Sequence, residues 1–235
     1  MGTISEITNE DCMVMMARYP DKYFDLAVVD PPYGENDAIN LISFSNNHKA
    51  KRGNYKEFNN IKPSSEYFKE LIRVSVNQIV WGGNYFSLSG GVIVWMKNGT
   101  AFGEGEIAIC STHKSVRFFK YIWNGMIQQN MTNKEVRIHP TQKPIALYSW
   151  LLTHYASPGD KILDTHMGGQ SSRIAAYKLG FNYWGAELDP DYYKAGCERF
   201  EKAINEPMMA QVLPPTQLKL FNYDNKNISK PHKKR

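Results

Sequence analysis

The run Asp30-Pro31-Pro32-Tyr33-Gly34 directly follows the apolar, β-branched stretch Leu26-Ala27-Val28-Val29. A carboxylate, two rigid residues and an aromatic ring therefore stand at the carboxyl end of an expected buried strand, where open α/β sheets bind ligands. Proline fixes φ at about −65° and donates no N–H, so the carbonyls of Asp30 and Pro31 are expected to stay open as acceptors. A carboxylate, open carbonyls and a stacking ring suit a planar base that carries an NH2 group. A plain Pro-rich turn would look the same in isolation, so the partners of this run decide its meaning.

Two further runs carry chemistry. Asp164-Thr165-His166-Met167-Gly168-Gly169-Gln170-Ser171 places an acidic residue and a glycine turn between an expected strand and an expected helix. Glycines let a ligand approach the backbone, and a helix N-terminus offers free N–H groups. Glu187 lies about 20 residues further on, where nucleotide-binding α/β folds hold a ribose diol. The third run, His139-Pro140-Thr141-Gln142-Lys143-Pro144, brings a hydroxyl, an amide and a cation onto a loop that leads into a helix. Such a loop can grip the carboxylate of an amino-acid-like ligand.

The elements that position these runs follow from local patterning. Strands are expected at Ile4–Ile7, Asp25–Val29, Gln78–Trp81, Gly91–Met96, Lys161–Leu163 and Tyr183–Ala186. Helices are expected at Cys12–Arg18, from Ser64 to about Val76, at Pro144–Tyr155, at Gln170–Leu179 with Gly180 as its stop, and from Pro190 to about Asn205 with Asp189 as its cap. Alternating strands and helices indicate a doubly wound, mostly parallel sheet. Residues 34–62 form a polar, Asn-rich, basic loop. Between 97 and 138 the alternation lapses, and Glu106–Cys110 and Val116–Trp123 are expected as strands of a smaller β-rich insert. The domain closes near 205. Pro207–Pro215 is a linker, followed by a Lys/Asn-rich tail expected to be disordered beyond about Asp224.

The chain has 235 residues, 42% of them hydrophobic, with a formal net charge of +5. That size suits one large domain with a core on both faces of a sheet. The charge is mild but clustered: His48-Lys49-Ala50-Lys51-Arg52 with Lys56; Lys114, Arg117 and Lys120 interleaved with Phe118, Phe119 and Tyr121; and Lys226 to Arg235. Basic residues beside aromatics fit phosphate contact with base stacking. Three widely separated cysteines, Cys12, Cys110 and Cys197, argue against a disulfide framework and for a reducing compartment, the cytoplasm. No Cys/His spacing resembles a metal site, and no apolar run approaches the ~20 residues of a membrane helix.

Taken together the three runs resemble the S-adenosylmethionine-dependent amino-methyltransferases of DNA, of bacterial or phage type, in the permuted motif order of the β class. Asp30–Tyr33 matches the DPPY motif, His139–Pro144 the HPTQKP loop, and Asp164–Ser172 the cofactor glycine motif, followed by Glu187-Leu188-Asp189-Pro190-Asp191-Tyr192. Trp81–Phe86 resembles a further family segment. The likeness covers roughly residues 4–205. It implies an α/β, Rossmann-like methyltransferase fold, permuted, with 97–138 as a target-recognition insert and 34–62 as a mobile loop that contacts DNA. The glycine motif departs from the family pattern Asp-Pro-Phe-x-Gly-Ser-Gly-Thr: Thr165, His166, Gly169 and Gln170 stand at the Pro, Phe, Ser and second Gly places.

The resemblance implies S-adenosylmethionine as cofactor. Asp11 or Cys12 would meet its adenine, with Asp11 also a candidate N-cap. Asp30, Asp164, Gly168, Gly169, Gln170 and Ser171 would line its pocket, with His166 as a wall. Glu187 and Leu188 would meet the ribose side, and Thr141, Gln142 and Lys143 the amino-acid end. Asp30 and the Pro31 carbonyl would accept N–H bonds from the target amine, Pro32 would stiffen the turn, and Tyr33 would stack on a base flipped out of double-stranded DNA. DPPY favours adenine N6 over cytosine N4 as a family tendency; a catalytically inactive DNA-binding relative is the alternative from another class. A recognition region of about 40 residues implies a short target, four base pairs or fewer. Gln217-Leu218-Lys219-Leu220-Phe221 resembles the peptide by which bacterial proteins dock on the replication sliding clamp.

Overall fold

The computed structural model describes residues 3–34, 60–97, 104–124 and 127–205. Its centre is β2 (Phe24–Val29), where Leu26, Ala27, Val28 and Val29 are each at most 1% exposed. Alternate side chains of a strand point to opposite faces. Leu26 and Val28 join one core cluster, and Ala27 and Val29 join the other. A run without polar relief is thus what a strand covered on both faces requires. The same split holds in β3 (Ser75–Trp81), with Ile79 and Trp81 on one face and Val80 on the other, and in β9 (Lys161–Asp164), with Ile162 and Leu163.

β1 (Ser5–Thr8) and β10 (Asn182–Ala186) complete a parallel block in the order β1-β10-β9-β2-β3. β9 and β2 pair directly, Leu26 opposite Ile162 and Ala27 opposite Leu163. From β9 the chain winds through α4 (Ser171–Leu179) to β10 on one side. (Helices are numbered in chain order: α1, Cys12–Met16; α2, Ser65–Val74; α3, Ile145–Tyr155; α5, Pro190–Asn205.) From β2 it winds through α2 to β3 on the other. The winding therefore reverses between β9 and β2, and a crevice opens at their carboxyl ends. Residues of α3, α4 and α5 pack on one face, and those of α1 and α2 on the other.

The glycine and proline signals work as the sequence implies. Gly180 ends α4 in the left-handed region, φ 77°. Asp189 Oδ1 accepts from the amides of Asp191 (2.9 Å) and Tyr192 (3.2 Å) at the start of α5.

One expectation is corrected. Glu106–Cys110 and the start of Val116–Trp123 do not form a separate insert. β5 (Gly105–Cys110) lies antiparallel between β3 and β4 (Gly91–Met96), and β6 (Val116–Lys120) runs parallel to β4 at the sheet edge. Strand patterning encodes which face a residue takes, not which strand is its neighbour, so the order β3-β5-β4-β6 was not readable from the sequence. Only the short pair β7 (Trp123–Asn124) and β8 (Ile127–Gln128) stands apart from the main sheet among the described residues. The basic cluster 48–56 and the peptide Gln217–Phe221 lie outside the described residues. Where the loop 34–62 is described, its two ends meet: the Asn60 side-chain amide donates to the Gly34 carbonyl at 2.9 Å. No helix among the described residues is long and apolar enough to cross a membrane.

Candidate active site

The expected site residues gather where the winding reverses. Asp30 follows β2 immediately, and its carboxylate is engaged at both oxygens. Oδ1 accepts from the Tyr33 hydroxyl at 2.6 Å, and Oδ2 from the Lys143 ammonium at 2.5 Å. The side chains of Asp30 and Lys143 are 13% and 4% exposed. Lys143 also pairs with Glu106 on β5, Nζ to Oε2 3.1 Å, and Glu106 in turn binds Lys97. Burial works against both Lys143 and Glu106, yet the opposite charges beside them prevail: Asp30 and Glu106 on Lys143, Lys143 and Lys97 on Glu106. The carboxyl of Glu106 is held down at about 2, and the ammonium of Lys143 is held above its ordinary value.

Tyr33 is fixed from all sides. Its ring stacks on Tyr85 (centroids 5.0 Å, planes 23° apart), meets Phe86 edge-on, and lies over Gly82. Gly82 has φ +66°, and a Cβ there would fall 2.1 Å from the Tyr33 ring, so only glycine fits. Pro31 is buried and Pro32 half-buried.

Beside Asp30, at the end of the paired strand β9, Asp164 is buried. It accepts from the His166 amide (3.0 Å) and the Ser172 hydroxyl (2.6 Å). Burial pushes its carboxyl up to about 7, and the charges of Asp30 and Glu187 add to the push. Thr165 bridges the Tyr67 hydroxyl (2.7 Å) and His166 Nδ1 (2.9 Å). His166 is half-buried: desolvation takes its imidazole down to about 4, with Asp11 acting weakly the other way. Glu187, at the end of β10, accepts from the amides of Gly168 (2.8 Å) and Asp189 (3.0 Å). Burial raises its carboxyl as well. Asp11 caps α1, its Oδ1 accepting from Met13 N at 2.7 Å. Burial, with Asp11 and Glu187 nearby, pushes the Cys12 thiol up to about 12, so it stays a neutral pocket group. Asp11, Cys12, Asp30, Asp164, His166 and Glu187 therefore form one cluster linked by charge interactions near the carboxyl ends of the central strands, with the Gly168 amide bound to Glu187.

Other expected residues are put to different use. The Gln142 side chain turns back into its own loop, accepting from Ile138 N (3.0 Å) and donating to Val136 O (3.1 Å), and it packs on Gly169. Thr141 is exposed and bonds His139 Nδ1. Lys143 points at Asp30 rather than at the outer end of the crevice. The Ser171 hydroxyl donates to the Lys143 carbonyl at 2.7 Å, tying the glycine turn to the His139–Pro144 loop. Gln170 adopts φ 59°, the left-handed conformation that explains a glycine at this place in the family pattern. Its amide donates to Tyr193 O (3.2 Å) and accepts from Arg173 (3.0 Å), which compensates the strain. Leu188 is exposed beyond the crevice rim.

Sequence reasoning missed Tyr67, Glu106, Glu135 and Arg199. Arg199 donates to the Gly169 carbonyl and to Ser171 Oγ (3.1 Å), and pairs with Glu135 at 2.8 Å with both side chains under 10% exposed. Glu135 also accepts from Ile145 N (3.0 Å) at the start of α3. For Arg199 a signal was present. Arg199 sits on the same helical face as Tyr192, Gly196 and Ala203, and a charge on an apolar stripe needs a partner. On β6, Lys114, Arg117, Phe118 and Lys120 lie at or beside the exposed edge, but Phe119 and Tyr121 are buried against the core and offer no stacking face.

Known proteins resemble this chain in sequence or in fold. The Escherichia coli (strain K12) methylase-like protein YubD is 24% identical over 214 residues, covering 83% of this chain and 90% of YubD. The DNA adenine methyltransferase YhdJ of the same organism is 35% identical over 69 residues, which span 29% of this chain and 24% of YhdJ. The solved structure of TTHA0409 of Thermus thermophilus, described as a DNA modification methylase in complex with S-adenosyl-L-methionine, superposes with a TM-score of 0.57. It is 16% identical, and the alignment covers 90% of this chain and 99% of that one. The N6/N4 methyltransferase family model, described as DNA methylase, matches residues 44–198, which takes in Glu106, the His139–Pro144 loop, the glycine turn and Glu187 while Asp30–Tyr33 precede it. With most of its length matched, the chain belongs to the N6/N4 DNA methylase family.

Proposed function

We propose that this DNA methylase transfers a methyl group from S-adenosylmethionine to the exocyclic N6 amine of adenine in a short DNA sequence, with the target base flipped out of the duplex. The observation that carries the reading is the direct pairing of β2 with β9, which sets Asp30 beside the Asp164–Gly168 turn. The residues fit the cofactor. Asp30, Asp164 and Glu187 gather carboxyl groups at one place; burial pushes the Asp164 carboxyl up to about 7, and repulsion from its two acidic neighbours adds to the push. A sulfonium cation relieves that repulsion. Glu187 spends its carboxylate on two backbone amides and keeps lone pairs for a ribose diol. Asp11, Cys12 and His166 would wall the pocket. When bound, the cofactor supplies an electrophilic methyl group.

The chain's own residues act on the amine. Its lone pair is delocalised into the ring, so it attacks poorly until an N–H is drawn out of plane. Asp30 accepts that N–H, with the Pro31 carbonyl as second acceptor, and stabilises the positive charge that develops on nitrogen. The base must leave the stack first, at a cost of a few kcal/mol. Basic residues of the 34–62 loop and the β6 edge are the proposed backbone contacts, and residues 97–138 the proposed reader of a target of four base pairs or fewer. The peptide Gln217–Phe221 remains a proposed clamp-docking segment; loss of clamp pull-down on Phe221→Ala is required of it.

Adenine is favoured by Asp30 at the first motif position and by the likeness to YhdJ. The family name also covers cytosine N4, so the product decides. Purified protein, labelled cofactor and unmethylated DNA should yield 6-methyladenine on nucleoside digestion. Finding 4-methylcytosine instead corrects the base, and binding without any transfer supports the inactive DNA-binding alternative.

A further inference from the structure

We propose that Glu106 is a positioning residue for methyl transfer: it receives the Lys143 ammonium when the target amine claims Asp30. The inference rests on the amine-transfer reading above. Asp30 accepts a substrate N–H only weakly on its remaining lone pairs while the Tyr33 hydroxyl and the Lys143 ammonium bind its two oxygens at 2.6 and 2.5 Å and the ammonium balances its charge. Loosening one donor makes it a stronger acceptor. Tyr33 is clamped between Tyr85, Phe86 and Gly82, so its hydroxyl has little room. Lys143 carries three N–H donors on a flexible stem, and a second carboxylate already stands within reach, Glu106 Oε2 at 3.1 Å. A lysine whose side chain is 4% exposed cannot simply be released, because a buried charge without a partner is strongly destabilising.

Glu106 removes that obstacle. The groups alternate in sign from Asp30 through Lys143 and Glu106 to Lys97. A small displacement of one ammonium along this row vacates Asp30 Oδ2 while every charge keeps an opposite neighbour. Lys97 holds Glu106 ionised on its far side, and the Lys97 ammonium in turn lies over the Trp95 ring at 4.7 Å. No bond is made or broken in this exchange, and no proton changes owner; one N–H donor replaces another. Glu106 touches neither base nor cofactor in it.

The test uses the full chain, labelled S-adenosylmethionine and unmethylated DNA. Glu106→Gln keeps the side-chain shape but removes the charge that draws Lys143 away. The expected result is a fall in kcat of about tenfold or more, with KM for DNA and the calorimetric Kd for cofactor within about twofold. In a Lys143→Met background, where nothing needs receiving, Glu106→Gln should add no further loss. Lys143→Arg is the second arm, should Glu106→Gln fold poorly. A guanidinium forks across both carboxylates, keeps Asp30 occupied, and lowers kcat in the same way. Wild-type kcat in either single variant, or an equal Glu106→Gln effect with and without Lys143, overturns the proposal and leaves Glu106 a structural ion. No transfer by the wild-type protein overturns the amine-transfer reading, and this inference falls with it.

Discussion

Asp30 and Asp164 are two carboxylates at adjacent strand ends with opposite environments. Asp30 is surrounded by donors, one of them a cation, and stays an acceptor for an incoming N–H. Asp30→Ala should therefore cut transfer by about 10²- to 10⁴-fold while circular dichroism and cofactor titration stay near wild type; near-normal turnover would refute its assigned role. Asp164 is buried with neutral donors, and its carboxyl sits at about 7. Unfolded, it would ionise at about 4. Between those values the folded chain holds a proton that the unfolded chain has lost, so Asp164 subtracts stability as pH rises from about 4 to about 7. Asp164→Asn removes this term and keeps an acceptor for His166 N. The stability gap between variant and wild type should widen by a few kcal/mol across that window and then level off, as read from urea midpoints at pH 4.5, 6 and 8. A gap independent of pH would contradict the assignment.

At the scale of elements, the motifs that were legible were those whose chemistry is local. An unrelieved apolar run names a doubly covered strand, and an acidic residue before a glycine turn names a strand-to-helix corner. Glu106 was not legible, because its partner Lys143 comes from a loop 37 positions away and β5 joins the sheet out of chain order. Gln170 was legible only as an oddity in the glycine motif. The structure supplies its reason: the left-handed turn packs its amide into the space left by Gly196 on α5, where a Cβ would stand 2.5 Å from Gln170 Nε2. Gly196→Ala should then destabilise the fold by about 1–3 kcal/mol through overpacking. In a Gln170→Gly background, which vacates that space, the same substitution should cost clearly less. Equal costs in both backgrounds, measured by urea denaturation, would separate the two residues.

Across the whole molecule, the buried Arg199–Glu135 pair joins three regions: α5, the glycine turn through Gly169 and Ser171, and the start of α3. Removing one member strands the other. Arg199→Met should lower unfolding free energy by about 3–5 kcal/mol, and Glu135→Gln, which still accepts from Ile145 N, should restore part of it in the double variant. A loss under about 1 kcal/mol in thermal melts would reduce the pair to an ornament of the surface. A different long-range consequence follows from the bond between Asn60 and the Gly34 carbonyl. Chain that departs at 34 comes back at 60 through one doorway, four peptide units from Asp30. Such a tether makes its length almost free to vary, since doubling a closed loop costs only about 0.6 kcal/mol.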